Sequence, residues 1–234
     1  MAKRVALVVR GHIRDAFAND RLARFLTRIA SDHRMCVHLY VQTWDHWDAS
    51  AHCSWRPLDD AYLDRRVTPD VLRAYLPIPT YGMRILRDDD AHLVGNVDGT
   101  IGGTPKLGWK RMWYGLFTIM NDIRNGGFQY DTAVSMRFDF FGAYVSGRSL
   151  YDYGRPFSTD DIVDWIIHGA SSDTQAVSFL SDHACTGVDN CYMGPTRSLF
   201  TLCARFHFNL DSTCMEVGHE YNQEKMVFKA CMRM

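Results

Sequence analysis

Arg137 and Asp139 close the run YDTAVSMRFDFFG, residues 130–142, and their types and place in the chain most directly allow chemistry. Residues 132–136 are apolar and β-prone, the composition of a short buried strand. A charged pair at the end of such a strand is costly unless each charge meets a partner or a ligand. Alternation along an extended chain puts Arg137 and Asp139 on one side and Phe138 on the other. Two readings follow. One is an internal Arg–Asp salt bridge. The other is a carboxylate at the carboxyl edge of a sheet, holding a metal ion bound to phosphates, because open α/β sheets place ligands there.

Two further strand ends carry polar side chains. Residues 5–9, VALVV, form a continuous apolar run of the kind found in a central strand, and Arg10, Gly11, His12, Ile13, Arg14 and Asp15 follow at once. Gly11 permits a tight turn there. Residues 36–41 read as a second strand running into Gln42, Thr43, Trp44, Asp45 and His46. If these ends converge with Arg137 and Asp139 in a parallel sheet, arginines would face phosphates and a carboxylate would face a divalent metal.

The elements that must position these groups alternate between strand and helix. Asn19 or Asp20 can cap a helix with apolar positions Leu22, Phe25, Leu26 and Ile29, which gives a β-α-β unit with the first two strands. Thr68-Pro69-Asp70 starts another helix, and residues 81–86 read as a strand. Residues 87–105 are polar and glycine-rich, the signature of a long functional loop. Residues 109–124 give the clearest amphipathic helix, stopped by Gly126 and Gly127, with Lys106, Lys110 and Arg111 beside its start as a natural anion site. Further expectations are a strand over 162–167, a short strand over 189–194, a helix over 197–206 and a closing helix over 219–232. Glu220 and Glu224 fit a solvated face of that last helix, and His183 and His219 fit structural roles better than metal ligation.

Composition narrows the function classes. The chain has 234 residues, 47% of them apolar and 23% charged, and a formal charge of −1, so nothing points to nucleic acid as the main partner. Length favours one domain over 1–234, which could be part of a longer protein. Seven cysteines without CxxC spacing argue against a disulfide framework or a structural zinc and for a reducing compartment. No segment has the length of a membrane span or a signal-peptide core, so a cytoplasmic protein is expected. GxxxxGK[ST], GxGxxG after the first strand, GxSxG and HExxH are all missing.

The order RGHIRDAF, LYVQTWDHW, WKRMWYGLFTIM, YDTAVSMRFDFF and DNCYMG resembles nucleotide-sugar glycosyltransferases of the GT-A type. It looks closest to compact domains of that type from large DNA viruses of algae and protists, and the resemblance spans nearly the whole chain. It implies a GT-A-like α/β domain with a mostly parallel, mixed sheet and helices on both faces. It also implies a nucleotide-sugar donor, a glycan acceptor, and a location in the host cytoplasm if the protein is viral. Members carry a DxD-like signature that binds Mn²⁺ or Mg²⁺ at the donor diphosphate. Here the matching residues are Arg137, Phe138 and Asp139, so Asp139 would be the metal ligand and Arg137 would replace the first acid. By position, Arg10, Gly11 and Arg14 would lie against the nucleotide, and Thr43 and Trp44 near its base or ribose. Asp189 resembles the acidic residue that faces sugar hydroxyls or deprotonates the acceptor. The runner-up expectation is a nucleotide-sugar- or glycan-binding module without catalysis, motivated by Arg137.

Overall fold

The computed structural model describes residues 2–48, 60–63, 65–87, 89–142, 151–152, 155–156, 158–171, 176–180, 191–217 and 223–232. The elements are β1 (Lys3–Arg10), α1 (Arg21–Ala30), β2 (Met35–Trp44), α2 (Asp60–Leu63), α3 (Pro69–Tyr75) and β3 (Thr80–Leu86). They continue with β4 (Thr100–Ile101), β5 (Thr104–Pro105), α4 (Lys106–Asn125) and β6 (Thr132–Arg137), the last followed by a 3-10 turn (Phe138–Phe141). The chain closes with β7 (Tyr151–Asp152), β8 (Arg155–Pro156), α5 (Thr159–Ser171), β9 (Ser178–Phe179), β10 (Cys191–Gly194), α6 (Thr196–Val217) and α7 (Gln223–Cys231). Among the described residues no helix is long and apolar enough to cross a membrane.

The protein is α/β, built on a six-stranded sheet in the order β3-β2-β1-β6-β10-β9. β3, β2, β1 and β6 are parallel, while β10 runs antiparallel to β6 and β9 antiparallel to β10. The sheet is therefore mixed and mostly parallel. Val5 through Val9 are fully buried because both faces of β1 are covered. Val5, Leu7 and Val9 pack with Leu22, Phe25 and Leu26 of α1 and with Val163 and Ile166 of α5. Ala6 and Val8 face the other way, toward Trp113 and Leu116 of α4 and Leu202 and Phe206 of α6. Each buried branched or aromatic side chain contributes roughly 1.5–3 kcal/mol, so the two faces together hold the sheet between the helices.

Several local expectations change. Residues 162–167 are not a strand but the middle of α5. Ile162, Val163, Ile166, Ile167 and Ala170 are buried along one helical stripe. The polar run before them is a capping box: Ser158 Oγ accepts from the Asp161 N–H, and the Asp161 carboxylate accepts from the Ser158 N–H. β2 continues to Trp44, so Thr43 and Trp44 lie within the strand rather than after it. The glycine-rich stretch before α4 contains the small β4–β5 hairpin. At α1, Asp20 occupies the cap position without capping through its side chain, and Asn19 Oδ1 accepts from the Arg21 N–H instead.

The cations at the start of α4 are also not an open anion site. Lys110 is buried, with its ammonium donating to Asp211 and to the Val94 carbonyl, while Lys106 pairs with Asp211 and Arg111 with Asp90. Burial works to raise the Asp211 carboxyl, but Lys110 and Lys106 more than offset it and hold it below the usual range. Charges that read as a phosphate cluster in sequence are thus spent on fastening α4 to α6 and to the loop before it.

At the amino edge of the sheet a 2.7 Å hydrogen bond joins His38 Nδ1 to the Tyr130 hydroxyl, and a second of 2.7 Å joins Tyr130 to Tyr40. Burial, and then the charge of Arg4, hold the His38 imidazole below the ordinary histidine value. An unfolded chain takes up this proton below about pH 6.5, whereas the folded protein resists it to lower pH. Stability from this group is therefore complete above that pH and declines as pH falls through 6.5 toward the depressed folded value. The urea midpoint should fall between about pH 7.5 and about pH 5.5, and His38→Gln should show a smaller fall. Trp113, fully buried and stacked on Phe206 at 4.3 Å, gives a second expectation. Trp113→Ala should cost about 3–5 kcal/mol in urea unfolding, through lost burial plus the cavity left behind.

Candidate functional site

The strand order reverses between β1 and β6. From β1 the chain proceeds outward to β2 and β3, and after β6 it continues on the other side. Open α/β sheets bind ligands at the carboxyl ends of two parallel strands whose connections diverge in this way. Register fixes what stands there. Arg10 pairs with Gln42 on one side and with Arg137 on the other, so these three residues form one row at the carboxyl edge, on the α4–α6 face.

The loop after β1 is tied down on three sides. Gly11 has φ +93°, a conformation that favours glycine, and its N–H donates to the Gln42 carbonyl at 3.0 Å. Arg14 has φ +48°, unusual for a residue with a side chain, and its N–H donates to the Trp47 carbonyl at 2.8 Å. Its Nε donates to Asp48 Oδ1 at 2.6 Å, with the two side chains only 13% and 6% exposed. Strain of this kind persists where surrounding contacts over-determine the backbone, and it clusters at functional sites. His12 lies over the Trp44 ring, with centroids 5.8 Å apart.

The turn after β6 is clamped against the same loop. Phe138 is buried edge-on to Phe17, Phe141 packs on Phe25, and Asn19 Nδ2 donates to the Phe141 carbonyl. A side chain at Gly142 would collide with the Asp15 carboxylate, so glycine is what allows the two loops to approach. β6 ends at Arg137, and Asp139 sits in the 3-10 turn. The alternation expected of an extended chain through 137–139 therefore does not apply, because the backbone has already turned.

The predicted residues separate into groups. Gly11 and Arg14 lie on the loop after β1, Arg137 ends β6 and Asp139 is in the turn that follows, so these four flank the switch point. Arg10 joins the row but is only 1% exposed: its Nε donates to Ser135 Oγ at 2.7 Å and its guanidinium lies 5.6 Å from the centre of the Tyr192 ring. Thr43 and Trp44 are buried as well, and the surface above Trp44 belongs to His12. Asp189, with His183, His219 and Glu220, lies outside the described residues. Sequence reading missed Asp48, Ser135 and Tyr192 as partners of the arginines. Asp48 follows the WDHW run closely enough to be suspected, whereas nothing local connects Tyr192 to Arg10.

Burial pushes the Tyr192 phenol up, with the Arg10 charge acting against the rise, so Tyr192 stays neutral beside a fixed cation. Burial likewise raises the Cys191 and Cys203 thiols, which excludes them as nucleophiles at neutral pH. Among the described residues no group of three or more His, Cys, Asp or Glu converges to hold a metal ion. No protein-family model matches the chain, and no curated protein matches it.

The Arg14–Asp48 pair gives a direct expectation. Removing one member of a mostly buried ion pair leaves the other charge uncompensated, at about 3–5 kcal/mol. Asp48→Ala should lose stability of that order in denaturant titration, and Asp48→Ala/Arg14→Ala together should lose less than the sum of the single changes.

Proposed function

We propose that the chain is a nucleotide-sugar glycosyltransferase of the GT-A type, moving a hexosyl or pentosyl group from its donor to a hydroxyl of a glycan acceptor. The observation that carries the proposal is the switch point between β1 and β6, with a positive-φ glycine turn on one side and a cation-to-carboxylate turn on the other. The motif order described above supports it. In this reading the backbone around Gly11 approaches the donor, and Arg14 and Arg137 stand beside its diphosphate. Buried Arg10 holds the edge positive from below.

Asp139 is the proposed protein ligand for Mn²⁺ or Mg²⁺. One carboxylate suffices, since such ions take their remaining ligands from substrate phosphates and water. A bound ion would help neutralise the departing diphosphate. Transfer breaks the bond from the anomeric carbon to the diphosphate oxygen, which leaves with the electron pair, and forms a bond to the acceptor oxygen. Asp189 is the proposed base that takes the acceptor proton. Action in the cytoplasm, or the host cytoplasm for a viral protein, belongs to the same proposal.

A second reading is a module that binds a nucleotide sugar or glycan without transferring it. Arg137 favours it, because an arginine stands where the first acid of the signature would be and shares a row with Arg10. Thermal shift against UDP- and GDP-sugars, with and without Mn²⁺, separates the two when paired with a transfer assay. Wild type should gain roughly 2.7 kcal/mol of stability at a hundredfold excess of donor over its dissociation constant. Asp139→Ala should keep a metal-independent shift, lose the metal-dependent part and transfer at least about a hundredfold more slowly. Donor binding with no transfer in wild type would favour the second reading, and no shift with any donor would remove the transferase and leave only a glycan-binding or structural role.

A further inference from the structure

A second surface with binding chemistry lies at the opposite end of the sheet. β1 runs from Lys3 to Arg10, so its amino end is about 23 Å from the switch point. The pairing of β2 with β3 slips midway along β2, level with Leu7 and Val8 of β1: Leu39 faces Thr80, Tyr40 faces Gly82, and Tyr81 is the extra residue between them. A bulge of this kind re-aims a side chain. The Tyr81 ring lies flat on the His38 imidazole, with centroids 3.5 Å apart and planes 7° from parallel. Phe128, from the loop after α4, stands at right angles to it, 6.0 Å away and 89° inclined. Tyr81 is 52% exposed and Phe128 50%, so two large rings form an open corner on the surface.

The corner is rigid and borders a polar cleft. His38 beneath Tyr81 is buried and held through Tyr130 to Tyr40. A neighbouring ring so placed limits how far Tyr81 can turn. Tyr130, whose ring centre is 6.3 Å from that of Phe128, also lines a cleft of about 750 Å³ with Lys3, Arg4, Gln129 and Asp131. Those side chains supply an ammonium, a guanidinium, a primary amide and a carboxylate, hence both donors and acceptors in one concave surface.

We propose that this corner and cleft bind a neutral oligosaccharide. A pyranose ring has an apolar C–H face and a rim of hydroxyls, each able to donate and to accept. Its flat face matches the outer face of Tyr81, with Phe128 as a side wall. Its hydroxyls match the mixed donors and acceptors of the cleft. A purely apolar partner would leave those charged groups desolvated and unpaired, whereas hydroxyls that both donate and accept can serve the Lys3 and Arg4 cations and the Asp131 carboxylate alike. The site is separate from the switch point and does not depend on donor binding there.

Isothermal titration of the donor-free protein with maltohexaose, cellohexaose and chitohexaose tests the proposal, with a decaproline peptide as the competing ligand class. One hexasaccharide should bind. Tyr81→Ala and Phe128→Ala should each weaken it by about tenfold, while Tyr81→Phe, which keeps the ring face, should bind nearly as wild type. Both rings are half exposed, so the variants should fold, which circular dichroism and melting check. Absence of binding by all three sugars, equal binding by Tyr81→Ala, or binding of decaproline alone would overturn the assignment. Loss of sugar-nucleotide binding at the other edge would leave this result untouched.

Discussion

The register of β1 against β6 is the constraint on which the rest of the carboxyl edge depends. It sets Arg10 opposite Arg137 on neighbouring parallel strands, and two guanidinium groups at that spacing repel in a low-dielectric setting. The fold answers by turning Arg10 inward, to Ser135 of β6 itself and to the face of Tyr192, which the antiparallel β10 brings alongside. A one-residue slip of β6 would put Arg137 on the opposite face and lift Val134 and Met136 out of their core. The apolar alternation of β6 thus fixes the site as firmly as it fixes the sheet.

Around that row the loops are immobilised by different means. The loop after β1 relies on a positive-φ glycine, a strained arginine and a short ion pair to Asp48. The turn after β6 relies on aromatic packing and on a glycine that admits Asp15. Each loop alone would have few contacts to hold it. Packed against each other, they stand over a buried cation at the switch point.

Much of this was legible in the sequence because it rested on contiguous patterns. The apolar runs of β1 and β6, the Gly11 turn and the helix of residues 109–124 all declare themselves locally. Residues 162–167 misled because IVDWII offers branched apolar residues that suit a strand, and the helix start ahead of them is marked by Asp161 in place of the usual Glu or Gln of a capping box. The cations near 106–111 misled for another reason. Asp211, which neutralises two of them, is 101 residues from Lys110, and no local rule brings that pair together. A still larger separation in sequence hid Tyr192 from Arg10. Asp139 was correctly set at a strand end, but the alternation inferred for it assumed an extended backbone that had already become a 3-10 turn.

Amide hydrogen exchange with and without a UDP- or GDP-sugar and Mn²⁺ tests the central claim most directly, because it reports where a ligand sits. The account predicts slowed exchange confined to residues 11–15 and 138–142, the two walls of the switch point, with the amino edge of the sheet unchanged. Protection at the amino edge instead, or none at the two walls under conditions where a donor demonstrably binds, would contradict it.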